Sequence, residues 1–350
     1  MTISISNTLN TDRHLSADRR LRRFEDIRQL LPDIDNPSPL VRVNRIVPSA
    51  SQVFLKLEWF NPFGSIKDRA AAYLLSGLEE RGALAGRRLV EASSGNTAIA
   101  LAALAALTDT PIIITIPEGV PEEKKVLLRM LGAEVWPTPD DLCPVDNPRD
   151  GAIALARSIV ESDGGEGYVW PDQYSNPDNV RAHYETTGPE IWRQTEGQIR
   201  TFVAGFGTCG TISGVGRYLK ERDPSILVVG VEPQPGHRLP GLKSFREAKT
   251  PAIFDREVVD EVIQVDDEPA YAMTKRLFRE EALMVGPSTG AVLEAITRLI
   301  SLGLVSGLDS PGLTVGISPD SGFKYTSFFA AGLGEEGLPE DESRKTEDGR

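Results

Sequence analysis

Short apolar runs rich in β-branched residues alternate along the chain with longer segments of helical periodicity. In the first half VFLKLE precedes RAAAYLLSGLEERG, RRLVEAS precedes TAIALAALAAL, and PIIITIP precedes EEKKVLLRMLGA. The second half repeats the order with TFVAGFG, TISGVGRYLKER and ILVVGVE. Strands joined by crossover helices pair in parallel, and such sheets are covered by helices on both faces, so the pattern predicts an α/β fold. Two segments interrupt the rhythm: the Asp- and Pro-rich stretch from Asp140 to Asp150, and SDGGEG at 162–167. The main boundary is therefore expected near 165, with a smaller α/β lobe over 36–165 and a larger one over 166–331. Residues 1–35 interleave Arg13, Arg19, Arg20, Arg22, Arg23 and Arg28 with Asp12, Asp18, Glu25 and Asp26, which reads as an N-terminal arm with a solvated or dimer-contacting face. From 332 to 350 the chain is rich in Gly, Pro and acid with little to bury, and a disordered tail is expected there.

Composition narrows the partners. Among 350 residues, 38 Lys and Arg stand against 51 Asp and Glu, a net charge of −13. Nucleic-acid binding has no electrostatic support in that balance. The longest uncharged apolar run, Ala98 to Leu107, is half of the roughly 20 residues that span a bilayer, so no membrane helix is expected. The first residues are polar throughout and lack the apolar stretch of a secretory signal. Cys143 and Cys209 are too few for a disulfide framework or a thiolate metal site, and a cytoplasmic location is the expectation. With His14, His183 and His237 the only histidines and no H-E-x-x-H, no metal site is expected.

Four segments share one local design, an apolar stretch running into a small-residue turn that opens a helix. They are NPFGSIKDR (61–69), ASSGNT (92–97), GFGTCGT (205–211) and GPSTGA (286–291). Such turns present backbone N–H groups and the positive end of a helix dipole, so each is a candidate anion cradle. In the first, Ser65 and Asp68 have capping-box spacing, which starts the helix at Ser65 and puts Lys67 in its first turn. The electropositive helix end disfavours an ammonium there, and a neutral amine is what Schiff-base chemistry needs. An exposed helix-start lysine has the same spacing, and this segment alone leaves both readings open. The third turn spells G-x-G-x-x-G, with Glu232 ending the later strand, as in dinucleotide-binding folds. Its hydroxyls Thr208 and Thr211 suit a compact phosphate monoester, and the motif alone supports both. The fourth matches the G-x-S-x-G nucleophile elbow, but that chemistry needs a histidine after the serine and all three histidines precede it.

Taken in order, these segments resemble the β-family, or fold type II, of pyridoxal-phosphate enzymes. Within it they resemble the cysteine synthases and cystathionine β-synthase. The likeness runs from about Val41 to Tyr325 and includes DQYSNPDNVRAHYETTGPEIW (172–192) and PDSGFKY (319–325). The stretch EPQPGHRLPGLKSF (232–245) is most like the cysteine synthase B type. The resemblance implies a two-lobed fold type II architecture with parallel-rich sheets, pyridoxal 5′-phosphate as cofactor, and a homodimer. It implies Lys67 as the residue that joins the cofactor and later takes the substrate Cα proton. It implies Asn96 at the cofactor's phenolic oxygen, Gly207, Thr208, Cys209, Gly210 and Thr211 around its phosphate, and Ser288 at its ring nitrogen. Ser93, Ser94, Thr97 and Gln173 would hold the substrate α-carboxylate. Lys243, with Arg238 as second choice, would face the leaving group. The family's phosphate cup usually reads GTGGT, and Cys209 replaces its middle glycine. Because the flanking glycines remain, that position is expected only to donate an N–H, without a left-handed backbone. The implied reaction replaces the β-substituent of O-acetyl-L-serine or O-phospho-L-serine with a sulfur nucleophile, through an external aldimine and α-aminoacrylate, to give L-cysteine. Cystathionine β-synthase or diamino-acid-forming chemistry is the nearest alternative, and an NAD-dependent oxidoreductase a distant one.

Overall fold

The computed structural model describes residues 23–139, 151–162, 164–305 and 312–333. Much of the expected arm, the 140–150 stretch and residues 334–350 lie outside the described residues. In chain order the strands are β1 (Leu40–Arg42), β2 (Val53–Leu57), β3 (Arg88–Ala92), β4 (Ile112–Pro117), β5 (Glu134–Thr138), β6 (Tyr168–Val169), β7 (Ile199–Gly205), β8 (Leu227–Pro233), β9 (Glu261–Val265) and β10 (Leu313–Ser318). The helices that position the site are α1 (Lys67–Glu80), α2 (Asn96–Ala106), α3 (Glu122–Met130), α4 (Ala152–Ser162), α5 (Asp178–Ala182), α6 (Gly188–Gln194), α7 (Gly210–Lys220), α8 (Asp267–Glu281) and α9 (Pro287–Ser301). A π-helical turn, His183–Thr187, joins α5 to α6.

The strands form two sheets, in the orders β1-β2-β10-β7-β8-β9 and β5-β4-β3-β6. All pairings are parallel except β1 with β2. Parallel strands covered on both faces read as unbroken apolar runs, and every residue of β4 is buried. On one face of the smaller sheet Leu89 and Ile114 pack with Leu75 of α1 and Leu101 of α2; on the other, Val90 and Ile113 meet Ala156 of α4. The larger sheet is covered in the same way, with Val203 and Val229 against Val292 and Ile296 of α9, and Phe202 and Val228 against Ile212 and Val215 of α7. The α/β architecture is the one the sequence pattern predicts.

Sheet membership crosses the boundary expected near 165 in both directions. β1 and β2 belong to the larger sheet because β2 finds its parallel partner in β10, with Val53 opposite Thr314 and Leu57 opposite Ser318. β6 belongs to the smaller sheet, where Tyr168 pairs with Arg88. Both are pairings between distant segments, which a linear pattern does not carry.

Behind the start of α1 four charges are buried together: Lys56, Glu58, Arg69 and Glu190 are each at most 2% exposed. Lys56 Nζ lies 2.7 Å from Glu190 Oε2, and Arg69 Nε lies 2.7 Å from Glu58 Oε2, while a second edge of the Arg69 guanidinium reaches Glu190. Ser38 Oγ donates to Glu58 Oε1 at 2.7 Å. Burial raises the Glu58 carboxyl, but Arg69 and then Lys56 outweigh it and hold it at about 2. Folded Glu58 thus sits below its ordinary value, so its contribution to stability is complete at neutral pH and is lost as pH falls from about 4.5 toward 2. Removing one member leaves buried charge unpaired. Glu190→Ala is therefore expected to lower the unfolding free energy by about 3–5 kcal/mol, read from urea denaturation; an unchanged midpoint would show that the cluster does not hold the fold.

Candidate active site

The segments that carry candidate chemistry follow the carboxyl ends of parallel strands, where α/β folds bind ligands. The 61–67 turn follows β2, the 93–96 turn β3, the 206–209 turn β7, and residues 319–325 follow β10. Hydrogen bonds staple these ends to one another. Ile66 N–H donates to Pro319 O at 2.8 Å, and Gly286 N–H, just before α9, donates to Asp320 O at 3.0 Å.

Lys67 is the first residue of α1. Ser65 Oγ, one residue before the Ile66 N-cap, accepts its backbone N–H at 3.2 Å. The predicted capping box does not form, the Asp68 N–H going to the Ser65 carbonyl at 3.2 Å and not to its hydroxyl. Asp68 Oδ2 instead accepts the N–H of Phe63 at 2.6 Å, and Ser65 is taken into a bridge with Asp320, so the helix begins at Lys67 and not at Ser65. The Lys67 side chain crosses toward the 207–211 turn, with Nζ 3.4 Å from Thr208 Oγ1. Burial pulls its pKa down, with Cys209 and Asp320 acting in the opposite sense. The exposed-lysine reading is set aside.

The 207–211 turn opens α7. Cys209 has φ 66° and ψ 4°, a left-handed backbone, which corrects the expectation that this position merely donates an N–H. The conformation swings the chain so that Gly210 can begin the helix, and for a non-glycine residue it costs about 1 kcal/mol or more. Burial pushes the Cys209 thiol up to about 12. Two residues from outside the turn fix its hydroxyls. Asn179 Nδ2 donates to Thr208 Oγ1 at 3.1 Å, and His183 Nε2 lies 3.2 Å from Thr211 Oγ1 with its Nδ1 2.9 Å from Thr187 Oγ1. Burial, then Arg69 and Lys67, lower the His183 imidazole to about 3, so it supports Thr211 as a neutral ring. Neither supporting role is legible in the sequence; the available signal was the position of both residues inside the 172–192 segment.

The glycines that imitate a dinucleotide fingerprint are explained by packing. A Cβ at Gly205 would lie 2.5 Å from Leu242, one at Gly207 2.7 Å from Gly241 O, and one at Gly210 2.1 Å from Asn179 Oδ1. Glu232 Oε1 accepts the Phe245 N–H at 2.7 Å and is turned into its own loop.

At the 93–97 turn Ser93 Oγ accepts the N–H groups of Gly95 and Ala98, each at 3.3 Å. Ser94 is exposed, and a Cβ at Gly95 would meet nothing within 4 Å, so this helix start faces open space. Thr97 and Gln173 come together, with the Thr97 hydroxyl donating to Gln173 Oε1 at 2.6 Å. Asn179 Nδ2 also donates to Gln173 O at 2.8 Å, which links this turn to Thr208 and so to Lys67. Asn96 donates to Asp320, and Lys324 donates to Asn96.

Lys67, Asn96, Gly207, Thr208, Cys209, Thr211, Ser288 and Asp320 border one cavity, partly open to solvent. Lys243 is not among the residues that border it. The backbone of Lys243 donates to Phe206 O at 2.8 Å, and its Nζ lies 5.1 Å from the centroid of the Tyr174 ring. Arg238 is exposed. Among the described residues no group of His, Cys, Asp and Glu is placed to hold a metal ion, and no helix is long and apolar enough to cross a membrane.

The family profile described as pyridoxal-phosphate dependent enzyme matches residues 32–310. The chain belongs to that pyridoxal-phosphate-dependent family. It is 39% identical over 308 residues to a cysteine synthase of Aquifex aeolicus, covering 86% of this chain and 92% of that protein. It is 38% identical to cysteine synthase B of Salmonella typhimurium, covering 83% and 92%. Among solved structures it superposes on an O-ureido-L-serine synthase with a TM-score of 0.79 at 30% identity, covering 92% of this chain and 99% of that one. A cysteine synthase from Entamoeba histolytica gives 0.79 at 28% identity, covering 91% and 94%.

Pyridoxal phosphate is the cofactor of this family member, and the donor set suits it. A helix N-terminus with two fixed hydroxyls suits a phosphate monoester, and an amine whose pKa burial lowers suits an aldehyde. The left-handed Cys209 makes a separate prediction. A buried thiol raised to about 12 is a poor nucleophile at neutral pH, so Cys209 in native protein is expected to escape iodoacetamide and to react once the chain is unfolded in urea. Peptide mass mapping reads the outcome, and rapid labelling of the native thiol would overturn the assigned environment.

Proposed function

We propose that the protein forms L-cysteine by replacing the β-substituent of O-acetyl-L-serine or O-phospho-L-serine with a sulfur nucleophile. The cysteine synthases among its relatives support the reaction class. The observation that carries the reading is the Lys67 amine, 3.4 Å from Thr208 across a cavity bordered by an anion cradle. Bound there, the cofactor supplies the electron sink that acidifies the substrate Cα–H and lets the β-substituent leave.

The chain's own residues do the rest. Burial keeps a neutral fraction of Lys67 available, so its Nζ can take a proton from Cα. Thr208, Thr211 and the backbone N–H groups of residues 207–211 hold the phosphate at the start of α7. Asn96 donates to the phenolic oxygen. Ser288, neutral at the start of α9, faces the ring nitrogen and leaves it without a carboxylate partner. Ser93, Ser94, Thr97 and Gln173 hold the α-carboxylate where α2 begins. Lys243 faces the leaving group from the loop beyond Leu242, its ammonium steadied by the Tyr174 ring. We further propose that the protein is a cytoplasmic homodimer.

Purified protein supplied with pyridoxal phosphate and sulfide is expected to release L-cysteine from O-acetylserine or O-phosphoserine, and Lys67→Ala to reduce turnover about 10²–10⁴-fold. Failure of both serine derivatives to yield cysteine, with turnover of serine and homocysteine in its place, would transfer the reading to cystathionine formation. In Lys243→Ala the KM for the derivative used is expected to rise about tenfold, the weight of one charge-assisted hydrogen bond; KM values unchanged from wild type for both derivatives would remove Lys243 from the site.

A further inference from the structure

Asn96 opens α2 and borders the cavity beside Lys67. Its side-chain amide has two unlike ends, and each is met by a charged group that suits only one of them. Asn96 Nδ2 donates to Asp320 Oδ2 at 2.6 Å, and Lys324 Nζ donates to Asn96 Oδ1 at 2.9 Å. A carboxylate only accepts and an ammonium only donates, so a reversed amide would set donor against donor and acceptor against acceptor. Both partners are held in turn. The Tyr325 hydroxyl donates to the same Asp320 oxygen, and Lys324 Nζ also donates to Phe63 O at 3.1 Å. Asp320 is 3% exposed, its backbone is pinned by the bridge to Ser65 and by the Gly286 N–H, and its carboxylate is held through Oδ2 by Tyr325 and Asn96. Burial raises the Asp320 pKa overall, and Tyr325, Asn96, Lys324 and Lys124 offset that only in part.

We propose that Asp320 and Lys324 are positioning residues that lock the Asn96 amide with its remaining Nδ2–H toward the cofactor ring. The inference rests on the reading of Asn96 as donor to the phenolic oxygen. An N–H facing that oxygen favours its ionised form, and an amide carbonyl in its place opposes it. An unclamped asparagine can present either end. The clamp removes the choice, and with it sets the ionisation state of the ring that the reaction uses.

The test compares wild type, Asp320→Asn, Lys324→Met and Lys324→Arg, each loaded with pyridoxal phosphate and treated with borohydride. Wild type is expected to absorb in the visible and to be labelled at Lys67. A colourless, unlabelled wild type would overturn the functional reading of the site and this proposal with it. Asp320→Asn and Lys324→Met are expected to keep the Lys67 label while the ratio of long- to short-wavelength absorbance falls about tenfold, the weight of one hydrogen bond to an ionised oxygen. Lys324→Arg, which still donates to Asn96 Oδ1, is expected to stay near wild type. If the ratio falls in Asn96→Ala but not in either of the first two variants, the lock is refuted. The side-chain amide protons of Asn96, followed by ¹⁵N NMR in the labelled protein, give a readout apart from colour. One of them is expected far downfield in wild type and shifted upfield in Asp320→Asn, and coincident spectra would refute the proposal. Should Asp320→Asn not fold, Lys324→Met carries the same test from the other end of the amide.

Discussion

The position of the Lys67 amine depends on a cluster of charges that takes no part in the chemistry. Arg69 lies in the same first turn of α1 as Lys67, and its guanidinium is gripped by Glu58 on one edge and Glu190 on the other. Glu58 belongs to the turn after β2, and Glu190 to α6. Sliding or rotating the start of α1 would draw Arg69 from both carboxylates and leave its own charge and that of Glu58 without an ion-pair partner where neither is solvated, a cost of several kcal/mol. Helix ends fray when their first N–H groups lack partners. This one is fixed by the Arg69 side chain and by the Ser65 hydroxyl that accepts the Lys67 N–H, which is why a long, flexible lysine can be held within reach of Thr208.

The remaining pieces are brought to that amine by topology. β2, β10 and β7 are neighbours running the same way, so the turns that follow them emerge side by side. β3, in the other sheet, delivers Asn96 from across the cleft, and Asp320 at the end of β10 receives it. The contact between Thr97 and Gln173, and that between Asn179 and Thr208, continue the same connection between the sheets. A single path of hydrogen bonds therefore runs from the proposed carboxylate turn to the phosphate turn and on to the lysine. Displacing one turn disturbs the others.

What the sequence disclosed was local. The apolar runs of β3, β4, β7 and β8 are strands, the small-residue turns are helix starts, and Lys67, Asn96, Ser288 and the 207–211 turn border one cavity. What it did not disclose was pairing across distance. The placement of β1 and β2 in the larger sheet depends on β10, and the supports supplied by Asn179, His183, Asp320 and Lys324 depend on which segments meet after folding. The capping box was misjudged for the same reason. Ser65 is drawn into a bridge with Asp320, a competitor far along the chain, and Asp68 turns to Phe63.

Cys209 shows how a local rule can be correct and still be overridden. A left-handed backbone favours glycine, and the substitution of cysteine there costs about 1 kcal/mol or more. Yet its side chain does not hang in solvent. It is 3% exposed and packs with Phe206 and Ile212 in the cluster beneath β7 and α7. Burying a small, polarisable side chain in a close-packed core is favourable by a similar amount. The two effects offset, so the turn keeps the shape that aims its N–H groups into the cavity while gaining an anchor that glycine would lack. Since φ is set by the need to start α7 at Gly210, where a Cβ would collide with Asn179, the backbone has no freedom to relax. The residue at 209 must accept the conformation, and burial is what makes the cysteine tolerable there.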